Sequence, residues 1–119
     1  MAEWGEFQHT GDKKFTNYAD ITKEIVEETD RITGGSMNIS PIPINLRLYS
    51  QSFIPLTLVD LPGLVRNALP NQPRDIVEQI QKCVMTYISK PNSIILAVSA
   101  ANADLATSDA LNAAAKVDP

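Results

Sequence analysis

Cysteine, long apolar runs and clustered positive charge are all scarce in this sequence, and each scarcity excludes a class of protein. Cys83 is the single cysteine, so neither an internal disulfide nor a cysteine metal cluster can form. The longest apolar run, residues 94–98, is far shorter than the roughly 18 residues that a membrane-spanning helix needs. Residues 1–12 are polar, so no signal peptide is visible. The single thiol fits a reducing, intracellular setting.

Positive charge is also outweighed: 10 Lys and Arg residues stand against 14 Asp and Glu residues, and the formal net charge is -4. A mildly acidic chain offers no electrostatic footprint for nucleic acid, and no Lys/Arg cluster suits an anionic membrane surface. We therefore expect no nucleic-acid partner, and we expect any membrane contact to be made through another part of the protein. The hydrophobic fraction of 44% and the charged fraction of 20% are ordinary for a soluble globular domain.

Residues 20–35 have the pattern of an amphipathic helix. Asp20 is a good N-cap, and Gly34-Gly35 would end the helix after about 13 residues. Its predicted apolar face consists of Ile21, Ile25, Thr29 and Ile32, and its solvated outer face of Glu24, Glu27 and Glu28. We predict that residues 1–18 are irregular and form a loop or an extended arm anchored by aromatic side chains, with His9 as a solvated surface residue.

Two further helices are predicted nearer the C-terminus. Asp75 caps the first, which ends at the break Pro91-Asn92. Its predicted buried face consists of Ile76, Ile80, Cys83, Val84, Tyr87 and Ile88. The second is rich in alanine and begins at Ser108-Asp109.

Three segments have the pattern of β-strands. Apolar and polar side chains alternate in residues 42–48, which indicates a half-buried or edge strand. Residues 54–59 are more uniformly apolar, and the short linker 50–53 favours an antiparallel hairpin between these two strands. Residues 93–99 are apolar on both faces, as in a central strand. Because strands alternate with helices, we predict an α/β fold: a mixed sheet with helices on both faces.

A carboxylate and a glycine follow the predicted strand 54–59, in the sequence Asp60-Leu61-Pro62-Gly63. In open α/β sheets, ligands lie beyond the carboxyl ends of the strands. A carboxylate there can hold Mg²⁺ through water, and a glycine lets a backbone N–H approach a phosphate. The motif fits a sensor for the terminal phosphate of a nucleotide. The alternative is a strand-ending aspartate that caps a turn before Pro-Gly.

Ordered motifs along essentially all 119 residues resemble the dynamin family of large GTPases. They are Glu3-Trp4-Gly5-Glu6-Phe7, Asp60-Leu61-Pro62-Gly63, Gln72-Pro73-x-Asp75-Ile76, Ile95-Leu96-Ala97-Val98-Ser99, Ala101-Asn102-x-Asp104-Leu105-Ala106-x-Ser108-Asp109-Ala110-Leu111 and Val117-Asp118-Pro119. The resemblance implies that residues 1–119 are the central part of a Ras-like GTPase domain. The sequence departs from the family pattern in detail, since Val65-Arg66 stands where Thr-Lys is usual.

The resemblance also implies roles for individual residues. Asp60 would orient Mg²⁺ through a water molecule, and the N–H of Gly63 would contact the γ-phosphate of GTP, with Leu61 and Pro62 completing the motif. Residues 64–74 would be switch II, the mobile segment that responds to hydrolysis.

A second implied site lies in the loop after residues 93–99. Asn102 and Asp104 match a loop that dynamins use across a dimer of GTPase domains to stabilise the nucleotide site of the partner. The implied protein is a GTP hydrolase that uses Mg²⁺ with GTP and drives membrane fission or organelle division. It would be cytoplasmic and peripheral on organelle or vesicle membranes, would associate with itself through its GTPase domains, and would contact membranes and microtubules through the complete protein.

Other parts of a GTPase domain have no match in this sequence. The phosphate loop G-x-x-x-x-G-K-[ST], the switch threonine and the guanine-reading T-K-x-D are not found. We therefore expect no catalytic residue within the chain. We also expect the sheet to lack the phosphate-loop strand, which in such domains lies between strands 54–59 and 93–99. The isolated chain would then be inactive and, with two unpaired apolar strand edges, unstable or sticky. The alternative is a non-catalytic interaction module that pairs with a full-length dynamin through the Asp104 loop.

Overall fold

The computed structural model describes residues 3–35 and 38–119. The chain divides into two units, residues 1–59 and 60–119. Each unit has buried side chains of its own. None of the helices in the described ranges combines the length and the apolar character that a membrane crossing requires.

A two-stranded antiparallel sheet organises the first unit. β1 (Trp4–Phe7) pairs with β2 (Leu46–Tyr49), and Trp4 lies opposite Tyr49. The two rings stack with their centroids 4.9 Å apart and 10° between their planes, and such cross-strand aromatic pairs stabilise a sheet. Part of the predicted arm is therefore extended and paired as a strand, so residues 1–18 are not irregular throughout.

The core of the first unit consists of Phe7, Phe15 and Ile21, each no more than 6% exposed. The two phenylalanine rings meet edge to face with centroids 5.2 Å apart, a favoured aromatic geometry. Phe15 is held there by a reciprocal pair of backbone hydrogen bonds with Gly5, both 2.8 Å long. The partly buried Ile44 and Leu46 pack against this core.

Helix α1 (Tyr18–Thr33) begins before the predicted N-cap Asp20. The N-cap is Asn17, whose side-chain oxygen accepts a hydrogen bond from the N–H of Ala19 at 2.8 Å, and so satisfies a backbone donor of the first turn. As predicted, the helix ends at Gly34, which adopts a left-handed conformation with φ 70.

Only part of the predicted apolar face of α1 is buried. Ile21 is buried, whereas Ile25 is 38% exposed. Glu28, which was predicted to lie on the solvated face, is only 6% exposed. Its burial is possible because a cation neutralises it: Arg31 forms an ion pair with its carboxylate.

The second unit contains two helices that contact each other, α2 (Ile76–Ile88) and α3 (Asp109–Val117). Both begin where the sequence predicts. The hydroxyl of Ser108 caps α3 by accepting a hydrogen bond from the N–H of Leu111 at 3.3 Å. Asp75 precedes α2, but its side chain makes no capping hydrogen bond. The predicted face of α2 is confirmed: its buried residues are Ile76, Ile80 and Val84, and Cys83, Tyr87 and Ile88 are half-buried.

The segments predicted as buried strands do not form a sheet in the described part of the chain. Residues 54–59 and 93–99 lie outside any strand, with Ile54 84% exposed and Ile94 93% exposed. The predicted hairpin between residues 42–48 and 54–59 is therefore wrong. An apolar segment forms a strand only when a neighbour pairs its backbone and covers its side chains. The sequence predicts a mixed sheet with helices on both faces. Residues 3–35 and 38–119 contain three α-helices and a two-stranded sheet.

Candidate functional site

The Asp60–Gly63 motif opens the second unit as irregular backbone. Asp60 is exposed, and its carboxylate accepts no hydrogen bond from the described residues. Leu61 and Pro62 are half-buried, which anchors the middle of the motif. A Cβ atom added at Gly63 would meet nothing within 4 Å. The carboxylate and the glycine backbone are thus both accessible to a ligand.

The loop predicted to contact a second GTPase domain is ordered by Asp104. Its Oδ1 accepts a hydrogen bond from the N–H of Ala106 at 3.0 Å, and its carbonyl accepts one from the hydroxyl of Thr107 at 2.9 Å. These bonds fix the 3-10 turn Leu105–Thr107. Asn102 and Asp104 are both exposed, so their side chains are presented to solvent at the surface of the unit.

Arg66 connects the predicted switch segment, residues 64–74, to the start of α3. Its Nε lies 3.3 and 3.4 Å from the two carboxylate oxygens of Asp109, and its guanidinium donates to the carbonyl of Thr107 at 2.8 Å. The pair is exposed, and such surface pairs contribute little free energy, about 0–1 kcal/mol. In the sequence, Arg66 is only a departure from the family pattern, because a contact across 43 residues leaves no local signal.

The structure does not join the two predicted sites to each other. Within residues 60–119, no hydrogen bond or ion pair links Asp60 to Asn102 or Asp104. Arg66 provides an indirect link: it belongs to residues 64–74, which follow the Asp60–Gly63 motif, and it donates to the carbonyl of Thr107 at the end of the turn Leu105–Thr107. Each site is therefore a separate loop within this chain.

A hydrogen-bonded group around Glu3 fixes the start of the chain in the first unit. The carboxylate of Glu3 accepts hydrogen bonds from the hydroxyls of Ser50 at 2.7 Å and Tyr18 at 2.9 Å. The bonds from Ser50 and Tyr18 lower the pKa of Glu3. The bond to the carboxylate raises the pKa of Tyr18. This group ties β1, α1 and the end of β2 together, and we assign it a structural role.

His9 is exposed, as the sequence predicts, but its ring is also paired with acidic side chains of α1, which the sequence did not predict. Its side chain is 24% exposed, and its Nε2 lies 2.9 Å from a carboxylate oxygen of Glu24. It also lies 3.5 Å from Glu28. The sequence offered one available signal, the spacing of Glu24 and Glu28 by four residues, which places both carboxylates on one face of a helix.

Comparison with known proteins identifies the family. Residues 1–119 match the sequence model of the dynamin family. Dynamin-B of Dictyostelium discoideum is 55% identical over 119 residues, which is 100% of this chain and 13% of that protein. Vacuolar protein sorting-associated protein 1 of Schizosaccharomyces pombe is 54% identical over 118 residues, 99% of this chain and 17% of that protein. Dynamin of Drosophila melanogaster is 52% identical over 119 residues, 100% of this chain and 14% of that protein.

The chain belongs to the dynamin family, and the resemblance inferred from its motifs is confirmed. It spans from 13% to 17% of the length of these three relatives. The match also covers the two loops that carry Asp60 and Asp104, because it extends over the whole chain.

Proposed function

We propose that this chain is the central part of a GTPase domain that binds and hydrolyses GTP to drive membrane fission or organelle division. The observation that carries the proposal is the Asp60–Gly63 motif. It presents an exposed carboxylate without a described hydrogen-bond partner, followed by an unobstructed glycine. The motif lies in a chain that matches the dynamin family along its whole length.

The two ends of the motif suit different parts of a magnesium–nucleotide complex. Mg²⁺ keeps several water molecules and binds through one or two carboxylates together with substrate phosphates, so a single exposed Asp60 fits a contact through water. When bound, Mg²⁺ neutralises charge that develops on the phosphates. The N–H of Gly63 makes no backbone hydrogen bond to a described residue and can donate to the terminal phosphate. Residues 64–74 act as switch II in this proposal.

The Asp104 loop supplies the contact with a second GTPase domain. Asn102 and Asp104 are exposed, and only Oδ1 of Asp104 is used in capping the local turn. The second carboxylate oxygen is therefore available to a partner domain. Hydrolysis would then rise with self-association, because each domain completes the nucleotide site of the other.

The chain by itself is proposed to be inactive. The phosphate loop and the guanine-reading motif are not among its residues, and phosphoryl transfer depends on positioning by all of these elements. We propose that the complete protein is cytoplasmic, lies peripherally on organelle or vesicle membranes, and meets membranes and microtubules through other regions.

A domain exchange tests the proposal in a complete protein. The 119 matching residues of the Dictyostelium discoideum Dynamin-B, which are 55% identical, are replaced by this chain, and phosphate release from GTP is measured in the presence of Mg²⁺. We expect the hybrid to hydrolyse GTP. A hybrid that is folded by circular dichroism but cannot bind GTP contradicts the proposal and favours the interaction module.

Three substitutions in the hybrid separate the proposed roles. Asp60→Asn should lower the hydrolysis rate about 10–100-fold, as expected for a group that acts on a metal through water. Asp104→Asn keeps the capping oxygen and should lower only the part of the rate that rises with protein concentration. Glu78→Gln removes a carboxylate that is also exposed, on α2, and should leave both rates unchanged. Equal losses in all three variants would show that the loss reflects folding and not the site.

A further inference from the structure

Three side chains that can bind a metal ion meet between the turn after β1 and the middle of α1. His9 lies in the 3-10 turn Gln8–Thr10, and Glu24 and Glu28 lie one helical turn apart. Nε2 of His9 is 2.9 Å from Oε1 of Glu24 and 3.5 Å from Oε2 of Glu28. One ligand atom from each residue lies within 4.8 Å of the other two. All three residues belong to the first unit, and none is assigned to GTP.

The two separations that involve His9 are close to those of a coordination shell, and the two carboxylates lie within 4.8 Å of each other. Zn–N and Zn–O bonds are about 2.0–2.2 Å long, so two ligand atoms of a tetrahedral zinc ion lie about 3.3–3.6 Å apart. The distance of 3.5 Å between His9 and Glu28 falls in this range. The distance of 2.9 Å between His9 and Glu24 is that of a hydrogen bond and needs only a small widening to admit an ion in place of the proton.

Contacts around the cluster hold two of the ligands in place. Glu28 is 6% exposed, and Nε of Arg31 donates to its Oε2 at 2.9 Å, with a second guanidinium bond to Oε1. The ring of His9 lies against that of Phe7, with centroids 5.2 Å apart. Metal sites depend on such outer contacts to orient their ligands. The side chains of His9 and Glu24 are 24% and 19% exposed, which leaves a path for an ion from solvent.

We propose that His9, Glu24 and Glu28 bind one Zn²⁺ ion. An imidazole together with carboxylates suits Zn²⁺, whereas Mg²⁺ and Ca²⁺ prefer sites made only of oxygen ligands. Three protein ligands leave the fourth tetrahedral position to water. The ion cross-links the turn after β1 to α1 and so stabilises the first unit, since a site that exists only in the folded chain adds its binding free energy to folding.

The test is a titration of the full 119-residue chain with Zn²⁺ in competition with a chromophoric chelator. Cys83 is first replaced in Cys83→Ser, because a free thiol would bind zinc elsewhere. We expect one Zn²⁺ per chain, a raised melting temperature, and no effect of Mg²⁺. His9→Gln and Glu24→Gln should each weaken binding at least about tenfold, since the loss of outer contacts alone costs about 10–100-fold.

The matched control is Glu27→Gln. Glu27 lies on the same helix, carries the same charge, and is 59% exposed in a pair with Lys23 at 3.8 Å. Its substitution should leave Zn²⁺ affinity unchanged. Unaltered affinity in His9→Gln, an equal loss in Glu27→Gln, or the absence of saturable binding to the folded chain would each overturn the proposal.

X-ray absorption at the zinc edge gives a second readout that needs no ligand variant. In the Zn²⁺-loaded Cys83→Ser chain, the proposal requires nitrogen and oxygen neighbours at about 2.0–2.2 Å and the outer-shell scattering of one imidazole. Because His9 is the single histidine, a spectrum without imidazole scattering would overturn the site even if His9→Gln failed to fold.

Discussion

Large apolar side chains lie in solvent at both segments where the sequence predicts buried strands. Their exposed fractions run from 73% to 93%, and they are Ile54, Leu56, Leu58, Ile94, Leu96 and Val98. Full burial of such a side chain stabilises a protein by about 1.5–3 kcal/mol. Leu96 is 77% exposed, so most of that free energy is not gained in this chain.

Leu96→Ala tests whether this segment is exposed in the isolated chain and buried in a complete domain. In the 119-residue chain, we expect the free energy of unfolding to change by less than about 0.5 kcal/mol, as for an ordinary surface position. In the Dynamin-B hybrid, where neighbouring strands can cover the segment, the same change should cost about 2–5 kcal/mol, as in a core. Ile76→Ala is the matched control. Ile76 is 0% exposed in the chain, so it should cost about 2–5 kcal/mol in both settings.

Urea unfolding followed by circular dichroism gives the free energies of unfolding for the chain. For the hybrid, the melting temperature reports the change in stability. A dye that fluoresces on apolar surfaces should bind the chain strongly and the hybrid weakly. The reasoning is refuted if the isolated chain binds no dye and if Leu96→Ala costs it as much as Ile76→Ala. That result would mean that residues 93–99 are buried in the isolated chain.

Two further predictions concern the first unit. Gly5→Ala should destabilise the chain by about 1–3 kcal/mol, because its Cβ would lie 3.0 Å from Cδ1 of Ile21 and 3.1 Å from Cδ2 of Leu48; a lower urea midpoint checks this, and an unchanged midpoint contradicts it. The hydrogen bond from Arg31 lowers the pKa of Glu28 below its ordinary value of 4.5. The stability that this ion pair contributes should therefore be complete above about pH 4.5 and lost as the pH falls through the lower folded-state pKa. Urea midpoints from pH 7 to 3 should show the loss, and Arg31→Gln should flatten it; an equally steep loss in that variant would contradict the assignment.

The helices could be predicted from the sequence because their signals are local. The spacing of Ile76, Ile80 and Val84 by four residues is sufficient to place them on one face of α2, and all three are buried. The burial of Glu28 could not be predicted in the same way. It depends on Arg31 nearby and on His9, which lies in another element.

The strands depend on partners that are distant in sequence, and there the local pattern was not sufficient. Alternation in residues 42–48 correctly indicated a strand, since β2 lies within that range apart from its last residue. Its partner is β1 and not residues 54–59, and no local property of either segment distinguishes these pairings. The apolar pattern in residues 54–59 and 93–99 indicates segments that need burial within a sheet, and only neighbouring strands can provide that burial.

The candidate site depends on distant partners in the same way. Asp60 and the Asp104 loop were found from motifs, and the structure places both at exposed positions. Each follows one of the two apolar segments that lack strand partners, since Asp60 comes directly after residues 54–59 and the Asp104 loop after residues 93–99. A loop is positioned by the strand that leads into it, so pairing of these segments and positioning of the two sites should be one event.

This coupling predicts that a substitution at a residue outside both loops lowers activity. A displacement of about 1 Å at a reacting group can cost about 10²-fold in rate. In the hybrid, Leu96→Ala should therefore lower GTP hydrolysis even at temperatures where the protein remains folded, whereas Ile76→Ala should lower it only as the domain unfolds. Rates measured well below both melting temperatures distinguish the two effects. If Leu96→Ala keeps the parent rate there, the segment supports stability alone, and the loops obtain their positions from elsewhere in the complete domain.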